Sequence, residues 1–437
     1  MMCAWRVLLG GAALLGPAPI VRHHPARLSA SVTGAGAHAR WMLHALNLAE
    51  QGRFSTPPNP WVGCVIVDAD GESVLAQGWH RQKGGPHAEA AALADAAARG
   101  VPRAKMERAT CYVTLEPCHR GPGKTTGPCD EALLAAGIRT LHCALLDPDP
   151  SFGGGVAFLR ANGVAVTVGT AADEVRASLR PYLHQRATAR PWLVLKAACS
   201  ADGAIACADG TSQWITGPAA RAHAQLLRAA SQAIIVGSGT AVADAPRLTV
   251  RLDDGALPDG ALPPVRPALR VVLDARGRLR SGPLLDVSLA PTLVCTTDAA
   301  PADVRNVWAD AGVEVAVVAA GENGEGVDVG GVLDELGNRG VVQAMVEGGG
   351  ALLGSILAGR HAQGMRLYVG AKALGSTARR WIGAPLARTI EEAHTWQLDS
   401  VGRVGDSDDV CIEYDLLNAD EEGDARNFCM PARSSEI

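Results

Sequence analysis

Aromatic side chains are scarce in this chain: four Phe, four Tyr and nine Trp make up 4% of its 437 residues. A groove for single-stranded nucleic acid needs stacking rings along a basic track. The basic track is missing too, because 40 Lys and Arg face 45 Asp and Glu, for a net charge of −5. That balance argues against a nucleic-acid partner, since a broad grip on phosphates needs a basic face. It leaves room for a local anion site that takes a phosphorylated small molecule. Long apolar runs are also absent, and none reaches the roughly 20 residues of a membrane-spanning helix. No membrane partner is expected. No acidic residue precedes Glu50. Residues 1–40 instead hold Arg6, Arg22, Arg27 and Arg40, with an apolar run from Val7 to Ile20 broken by glycine and proline. This fits a transit peptide, a poor secretory signal or an over-extended start. Residues 1–38 are therefore set apart as an extension, disordered or targeting.

Cysteine is present without a pattern. The 11 residues are odd in number and scattered, and Cys64 sits inside the apolar run Val62-Gly63-Cys64-Val65-Ile66-Val67. Such usage fits a reduced, cytoplasmic enzyme whose cysteines are mostly small core residues. A plastid location is the alternative if the extension is a transit peptide.

Alternating periods predict an α/β protein. Helices are expected at 39–52, 87–99, 130–136 and 152–161, and strands at 62–67, 74–79, 110–115, 140–146 and 164–168. Pro181 and Pro191 bracket 180–190 and mark it as the boundary between a domain at 39–185 and another at 190–416. In the second domain, strands are expected at 192–198, 233–236, 269–273, 292–296, 313–318 and 341–346, with helices at 218–230 and 351–357. Residues 252–267 read as a surface loop and 419–437 as a disordered tail.

The chemistry concentrates between residues 87 and 129, in His87-Ala88-Glu89, Leu115-Glu116-Pro117-Cys118 and Pro128-Cys129. One imidazole and two thiolates make three Zn²⁺ ligands, His87, Cys118 and Cys129. Three protein ligands leave a tetrahedral position open, the mark of a catalytic zinc. Glu89 is too close to His87 to be a comfortable fourth ligand, and its natural role is proton transfer. His119, next to Cys118, is the one candidate for closing the shell. A lone His-x-Glu arises by chance, but His-x-Glu with two following Pro-Cys pairs is the pattern of zinc deaminases acting on nucleobases and related rings. That pattern has two residues between its cysteines. Here ten intervene, rich in glycine and threonine and including Arg120 and Lys124.

At this point the chain resembles the bifunctional deaminase–reductases of riboflavin biosynthesis over residues 39–416. The strings that carry the resemblance are Asn59-Pro60-Trp61-Val62-Gly63-Cys64, His87-Ala88-Glu89 and Tyr112 through Cys118. In the second half they are Lys196 through Gly203, Ser212-Gln213-Trp214-Ile215-Thr216, Gly239-Thr240 through Asp244, Leu248-Thr249-Val250-Arg251, and Glu347-Gly348-Gly349-Gly350. The family usually has a shorter loop between the cysteines, opened by a serine-histidine pair where this chain has His119-Arg120.

The resemblance implies a cytidine-deaminase-like three-layer domain followed by a dihydrofolate-reductase-like α/β domain, with Zn²⁺ and NADPH as cofactors. It implies deamination of 2,5-diamino-6-(5-phosphoribosylamino)pyrimidin-4(3H)-one, then reduction of the ribosyl chain to give 5-amino-6-(5-phosphoribitylamino)uracil. It assigns Asn59, Ser212, Arg228, Leu248, Arg251 and Glu347 to substrate. Ala198, Trp214, Thr240, Asp244 and the run Gly349, Gly350, Ala351, Leu352, Leu353, Gly354, Ser355 fall to the cofactor. Glu89, Lys196 and Asp244 are the catalytic candidates, and a homo-oligomer is expected.

Physical sense supports several of these. Glycines let the backbone approach a pyrophosphate, Arg228 and Arg251 offer forked donors for a phosphate, and Trp214 can pack on a flat ring. Gly237-Ser238-Gly239 hints at a dinucleotide fingerprint, but Val242 occupies the third glycine's place, so it is read as a decoy. Ala245 replaces an aspartate common after Asp244, and Ala275 a serine often found after Asp274. Both favour the alternative, a paralogue in another pyrimidine-derived pathway with a weak or inactive reductase half.

Overall fold

The structure is a computed structural model and describes residues 34–121, 127–321 and 324–416. The chain opens with α1 (Gly34–Glu50), β1 (Gly63–Val67), β2 (Val74–Trp79), α2 (Ala88–Ala98), the single-turn α3 (Arg103–Met106), β3 (Thr110–Leu115) and α4 (Cys129–Ala136). It continues through β4 (Thr140–Leu145), α5 (Gly155–Ala161), β5 (Ala165–Val168) and α6 (Ala172–Thr188). Among the described residues these strands form a five-stranded sheet in the order β2-β1-β3-β4-β5, antiparallel on both sides of β1 and parallel from β3 onward. Every residue of β1 is buried. Cys64 and Ile66 face a core shared with α2, α4 and α5, while Val65 and Val67 face one shared with α1 and α6. A strand with two apolar faces must be covered on both, and three layers follow.

The second half runs β6 (Trp192–Ser200), β7 (Ala204–Ala206), α7 (Pro218–Ala230), β8 (Ala233–Gly237), α8 (Ser238–Asp244), β9 (Leu269–Leu273), β10 (Thr292–Thr296), α9 (Ala302–Asp310), β11 (Glu314–Val317) and α10 (Val329–Asn338). Then come β12 (Gln343–Glu347), α11 (Gly350–Ala358), β13 (Gly364–Gly370), β14 (Arg379–Arg380), β15 (Gln397–Arg403) and β16 (Val410–Asp415). Among the described residues the main sheet has nine strands, ordered β11-β10-β9-β8-β12-β6-β13-β16-β15. It is parallel from β11 to β13 and antiparallel at β16 and β15. In β8, Ile234 and Val236 pack with the fully buried Trp308, while Ala233 and Ile235 pack on the opposite core. The carboxyl ends of β8 and β12 thus emerge side by side.

The stretch 180–190, expected as a boundary, holds the last turns of a helix and the turn that follows it. α6 runs through Pro181 to Thr188, because Val175, Leu179, Pro181, Tyr182 and Gln185 bury one face. An interior proline removes one helical hydrogen bond, and that burial outweighs the loss. Ala189, at φ 59, turns the chain into β6. It packs so closely on α10 that a Cβ at Gly337 would lie 1.8 Å from its carbonyl oxygen. α1 starts five residues before the expected position, within the segment assigned to the extension. The rest of that extension, residues 1–33, and the tail at 419–437 lie outside the described residues. The hairpin of β15 and β16 was not anticipated.

Candidate functional site

His87 caps α2, Cys118 follows β3, and Cys129 opens α4. Their ligand atoms lie within 4.8 Å of one another. His87 Nδ1 is 3.4 Å from Cys118 Sγ and 3.5 Å from Cys129 Sγ. The N-cap residues of these helices, His87 and Pro128, are both extended. Glu89, 3% exposed, lies in the first turn of α2 beside the thiols.

The electrostatics show what this arrangement wants. The adjacent Cys118 and burial drive the Cys129 thiol far above its usual range. Burial, then the charge of Cys118, pushes the Glu89 carboxyl up to about 7. Three groups that ionise negatively are packed together, and a divalent cation relieves that repulsion. Sulfur and imidazole donors suit zinc, and three of them leave a position open. Such a charge would also draw Glu89 back towards its ionised form. His119 does not close the shell: its Nδ1 lies 2.5 Å from Asp130 Oδ2, and its ring packs on Phe158.

His80 was not picked out from the sequence. It is 3% exposed, and its ring meets that of His87 edge-on at 5.5 Å. Its Nδ1 lies 2.8 Å from the Pro86 carbonyl oxygen, which can only accept, so Nδ1 carries the proton. Burial lowers the His80 pKa, which favours the neutral ring. Nε2 then accepts from Asn59 Nδ2 at 3.2 Å. No spacing rule links positions 59, 80 and 87; folding of the β1–β2 hairpin brings them together.

The second half contains a cleft of about 1950 Å³ at the carboxyl ends of β6, β8 and β12. Single-ligand pockets usually occupy roughly 300–1,000 Å³, so the cleft has room for a cofactor and a substrate together. It is lined by Lys196, Ala198, Ser212, Trp214, Arg228, Thr240, Asp244, Leu248, Arg251, Glu347, Gly349, Gly350, Ala351, Leu352 and Ser355. Leu353 and Gly354 do not reach it. Leu353 is fully buried, and Gly354 packs on Ala384. A contiguous run cannot all face one way on a helix, where residues share a face at three- and four-residue spacing.

Further corrections concern roles. Arg228 lines the cleft with its fork already engaged. Its Nε and Nη2 hold Glu347 at 2.5 and 2.8 Å, and Nη1 donates to the Thr249 carbonyl at 3.0 Å. Arg251 is exposed at the cleft. Burial pushes the Glu347 carboxyl up, but Arg228 outweighs it and the net shift is downward. Lys196, paired with Glu347 in strand register, is lowered by burial and lies 5.8 Å from the Tyr368 ring centroid. Asp244 is raised by partial burial. The glycines divide their work. A Cβ at Gly350 would lie 2.4 Å from the Arg380 carbonyl oxygen, whereas Gly349 faces Thr240. The supposed decoy at Gly237–Gly239 also lines the cleft, as do the unforeseen Arg221, Arg247, Arg278, Arg379 and Arg380. Arg221 sits 4.3 Å from the ring centroid of Trp214, itself 58% exposed. A basic wall and two glycine turns fit a dinucleotide that carries several phosphates.

Residues 36–145 match the family described as the cytidine and deoxycytidylate deaminase zinc-binding region, and residues 191–406 match the RibD C-terminal domain. The riboflavin biosynthesis protein RibD of Chlamydia pneumoniae is 39% identical, over 84% of this chain and 93% of that protein. Its counterpart from Escherichia coli K12 is 36% identical, over 85% of this chain and 97% of that protein. The chain belongs to the RibD family. An Acinetobacter baumannii RibD structure superposes with a TM-score of 0.73 at 31% identity, covering 88% of this chain and all of that one. A Thermotoga maritima structure, titled as a diaminohydroxyphosphoribosylaminopyrimidine deaminase/5-amino-6-(5-phosphoribosylamino)uracil reductase, gives 0.73 at 29% identity with the same coverage. Like other RibD proteins, this one is a bifunctional deaminase–reductase of riboflavin biosynthesis, with a zinc-binding deaminase half ahead of an NADPH-dependent reductase half. No helix among the described residues is long and apolar enough to cross a membrane.

Two departures from the RibD pattern acquire physical meaning. Ala245 ends α8 in the left-handed region, at φ 42 and ψ 51. Aspartate visits that region more readily than alanine, for which it costs roughly 1–2 kcal/mol. Replacing Ala245 by Gly relieves that strain and adds unfolded-chain entropy, so the urea midpoint should rise by the equivalent of about 0.5–1 kcal/mol. An unchanged midpoint would show the strain to be absent. Ala275 is a milder change. Asp274, fully buried, accepts from the Arg278 and Leu279 amides at 3.0 and 2.8 Å and shapes the turn without it.

Proposed function

We propose that the pyrimidine is deaminated at the His87 centre and its product reduced in the basic cleft, the reactions named for the Thermotoga protein. The observation that carries this reading is the open three-donor cluster with a buried carboxylate against it. His87, Cys118 and Cys129 hold the zinc, which when bound lowers the pKa of water so that hydroxide is available near neutral pH. Glu89 takes a proton from the attacking water and passes it to the departing amine. The ring carbon gains oxygen, its bond to nitrogen breaks, and ammonia leaves. Asn59, held by His80, orients the ring.

In the cleft, NADPH when bound supplies a hydride to the ribosyl group. Lys196 and Asp244 handle the accompanying proton, Arg251 holds the substrate phosphate, and Ser212, Leu248 and Glu347 complete the substrate side. The Arg228 fork positions Glu347. Ala198, Trp214, Thr240, Asp244 and the turn from Gly349 to Leu352 with Ser355 form the cofactor wall. The division of labour falls at 39–185 and 190–416. Buried free thiols support a cytoplasmic setting. The edge strand β15, with Leu398 and Val401 at 53% and 59% exposure, supports a homo-oligomer.

Metal removal tests the reading. Protein stripped by a thiol-competent chelator should release no ammonia from the diaminopyrimidinone, yet oxidise NADPH with the deaminated substrate at the untreated rate. Re-addition of zinc should restore ammonia release. Retained deamination in metal-free protein would reject the assignment.

A further inference from the structure

Ten residues separate Cys118 from Cys129, and the loop they form is fastened at its ends. His119 and Arg120 directly follow one ligand; Asp130 and Glu131 directly follow the other, in the first turn of α4. His119 Nδ1 lies 2.5 Å from Oδ2 of Asp130, whose side chain is fully buried. Arg120 pairs with both carboxylate oxygens of Glu131, the Nη2–Oε2 separation being 2.6 Å. The amides of Cys129 and Asp130 reach the Cys118 carbonyl oxygen at 3.1 and 3.4 Å. Behind His119, its amide donates to the Phe152 carbonyl at 3.0 Å, and its ring rests on Phe158 at 5.2 Å.

We propose that the His119–Asp130 pair is a clamp that fixes the spacing of the two thiolate ligands, which makes both of its members positioning residues for the metal centre. Bringing the ends of a loop together costs more entropy as the loop lengthens, and this loop is far longer than the two-residue spacer of the general deaminase pattern. The buried carboxylate on the imidazole adds a directional side-chain constraint to the backbone hydrogen bonds that join the two ligand segments. The two pairs are not equal. Asp130 is at 0% exposure, whereas the Arg120 side chain is 72% exposed and Glu131 32% exposed. Solvent and side-chain entropy leave an exposed pair with little net effect, so the clamp resides in His119 and Asp130. The proposal rests on reading His87, Cys118 and Cys129 as zinc ligands.

The test uses the full-length, zinc-loaded protein and follows zinc transfer to 4-(2-pyridylazo)resorcinol. NADPH oxidation with the deaminated substrate reports that the chain remains folded. His119→Ala and Asp130→Asn should each release zinc about 10- to 100-fold faster, taking as the scale the loss of affinity that follows removal of groups supporting metal ligands. The double variant should be no faster than the faster single one, because either change opens the same clamp. Arg120→Ala should stay within about twofold of wild type. Wild-type release rates in both single variants would overturn the clamp while leaving the metal reading intact, as would effects that multiply in the double variant. A wild-type protein that retains no zinc would overturn the metal reading and the clamp with it. If Asp130→Asn abolishes reduction as well, the variant has unfolded. His119→Ala, which removes a ring 34% exposed, then decides alone.

Discussion

Replacement of Glu89 by Ala should lower the rate of ammonia release by about 10²–10⁴-fold, the range expected for losing a positioned general acid–base. The carboxylate is not one of the three clustered donors, so zinc content should stay near one ion per chain. Glu89→Gln should fail almost as badly, since it keeps the shape and the buried packing but cannot carry the proton. The reductase half provides the internal control. With pre-deaminated substrate, both variants should oxidise NADPH at the wild-type rate. Parallel assays of ammonia, bound zinc and NADPH decide the matter, and loss of both activities, or of neither, would sink the division of labour. Deamination should also show an acid limb, because a Glu89 carboxyl that has gained a proton cannot accept another.

Arg228→Ala should be the most disruptive change in the reductase half. It strands the Glu347 carboxylate, 16% exposed, in a site built around a two-pronged partner. Breaking one side of a buried pair costs roughly 3–5 kcal/mol. A loss of that size should appear in denaturant unfolding together with a collapse of NADPH oxidation. Arg228→Lys should recover only part, because a point charge cannot reproduce the fork. The double variant Arg228→Ala, Glu347→Ala should be more stable than Arg228→Ala alone, since the Glu347 carboxylate no longer lacks its two-pronged partner, with the gain reduced by the loss of that carboxylate's charge beside Lys196. If Arg228 instead gripped substrate phosphate, its loss would raise KM, leave stability untouched and add independently to the loss of Glu347. The pair's sign with pH follows from the lowered Glu347 pKa. Its stabilisation is present above the unfolded carboxylate range and is lost as pH falls through the folded value.

The zinc cluster was legible because its chemistry is written locally. His87 and Glu89 share one turn, and each cysteine sits beside a proline at the end of a regular element. The strands with buried faces were legible for a similar reason. β1, β8, β9 and β10 are short apolar runs whose burial leaves no other reading. Arg228 was misread because its partner lies 119 residues away; sequence distance carries no information about which carboxylate a fork will find. His80 escaped for the same reason, since its value depends on Pro86 and Asn59 together. Pro181 misled because a proline's local cost was weighed without the buried face of α6. β15 failed in the opposite direction. Its Gln397-Leu398-Asp399-Ser400-Val401 stretch is largely exposed on an edge, so the alternation that betrays a strand is absent. Leu353 and Gly354 were swept into a motif that, once helical, turns them away from the cleft.

The hydrogen bonds behind Asn59 run in one direction. From the Pro86 carbonyl through the His80 ring to the Asn59 amide nitrogen, each partner's role is set by the one before it. The amide cannot flip without placing an acceptor against the unprotonated Nε2. On the proposed reading, in which Asn59 orients the ring, this wall would offer its carbonyl oxygen to the substrate and select a ring edge that carries a hydrogen. An analogue presenting oxygen at that edge would set two acceptors face to face. Sites built to receive a particular donor can reject the molecule lacking it by about 10⁴–10⁵-fold. Discrimination of that kind would trace back to the main-chain carbonyl of Pro86, which sets the His80 tautomer.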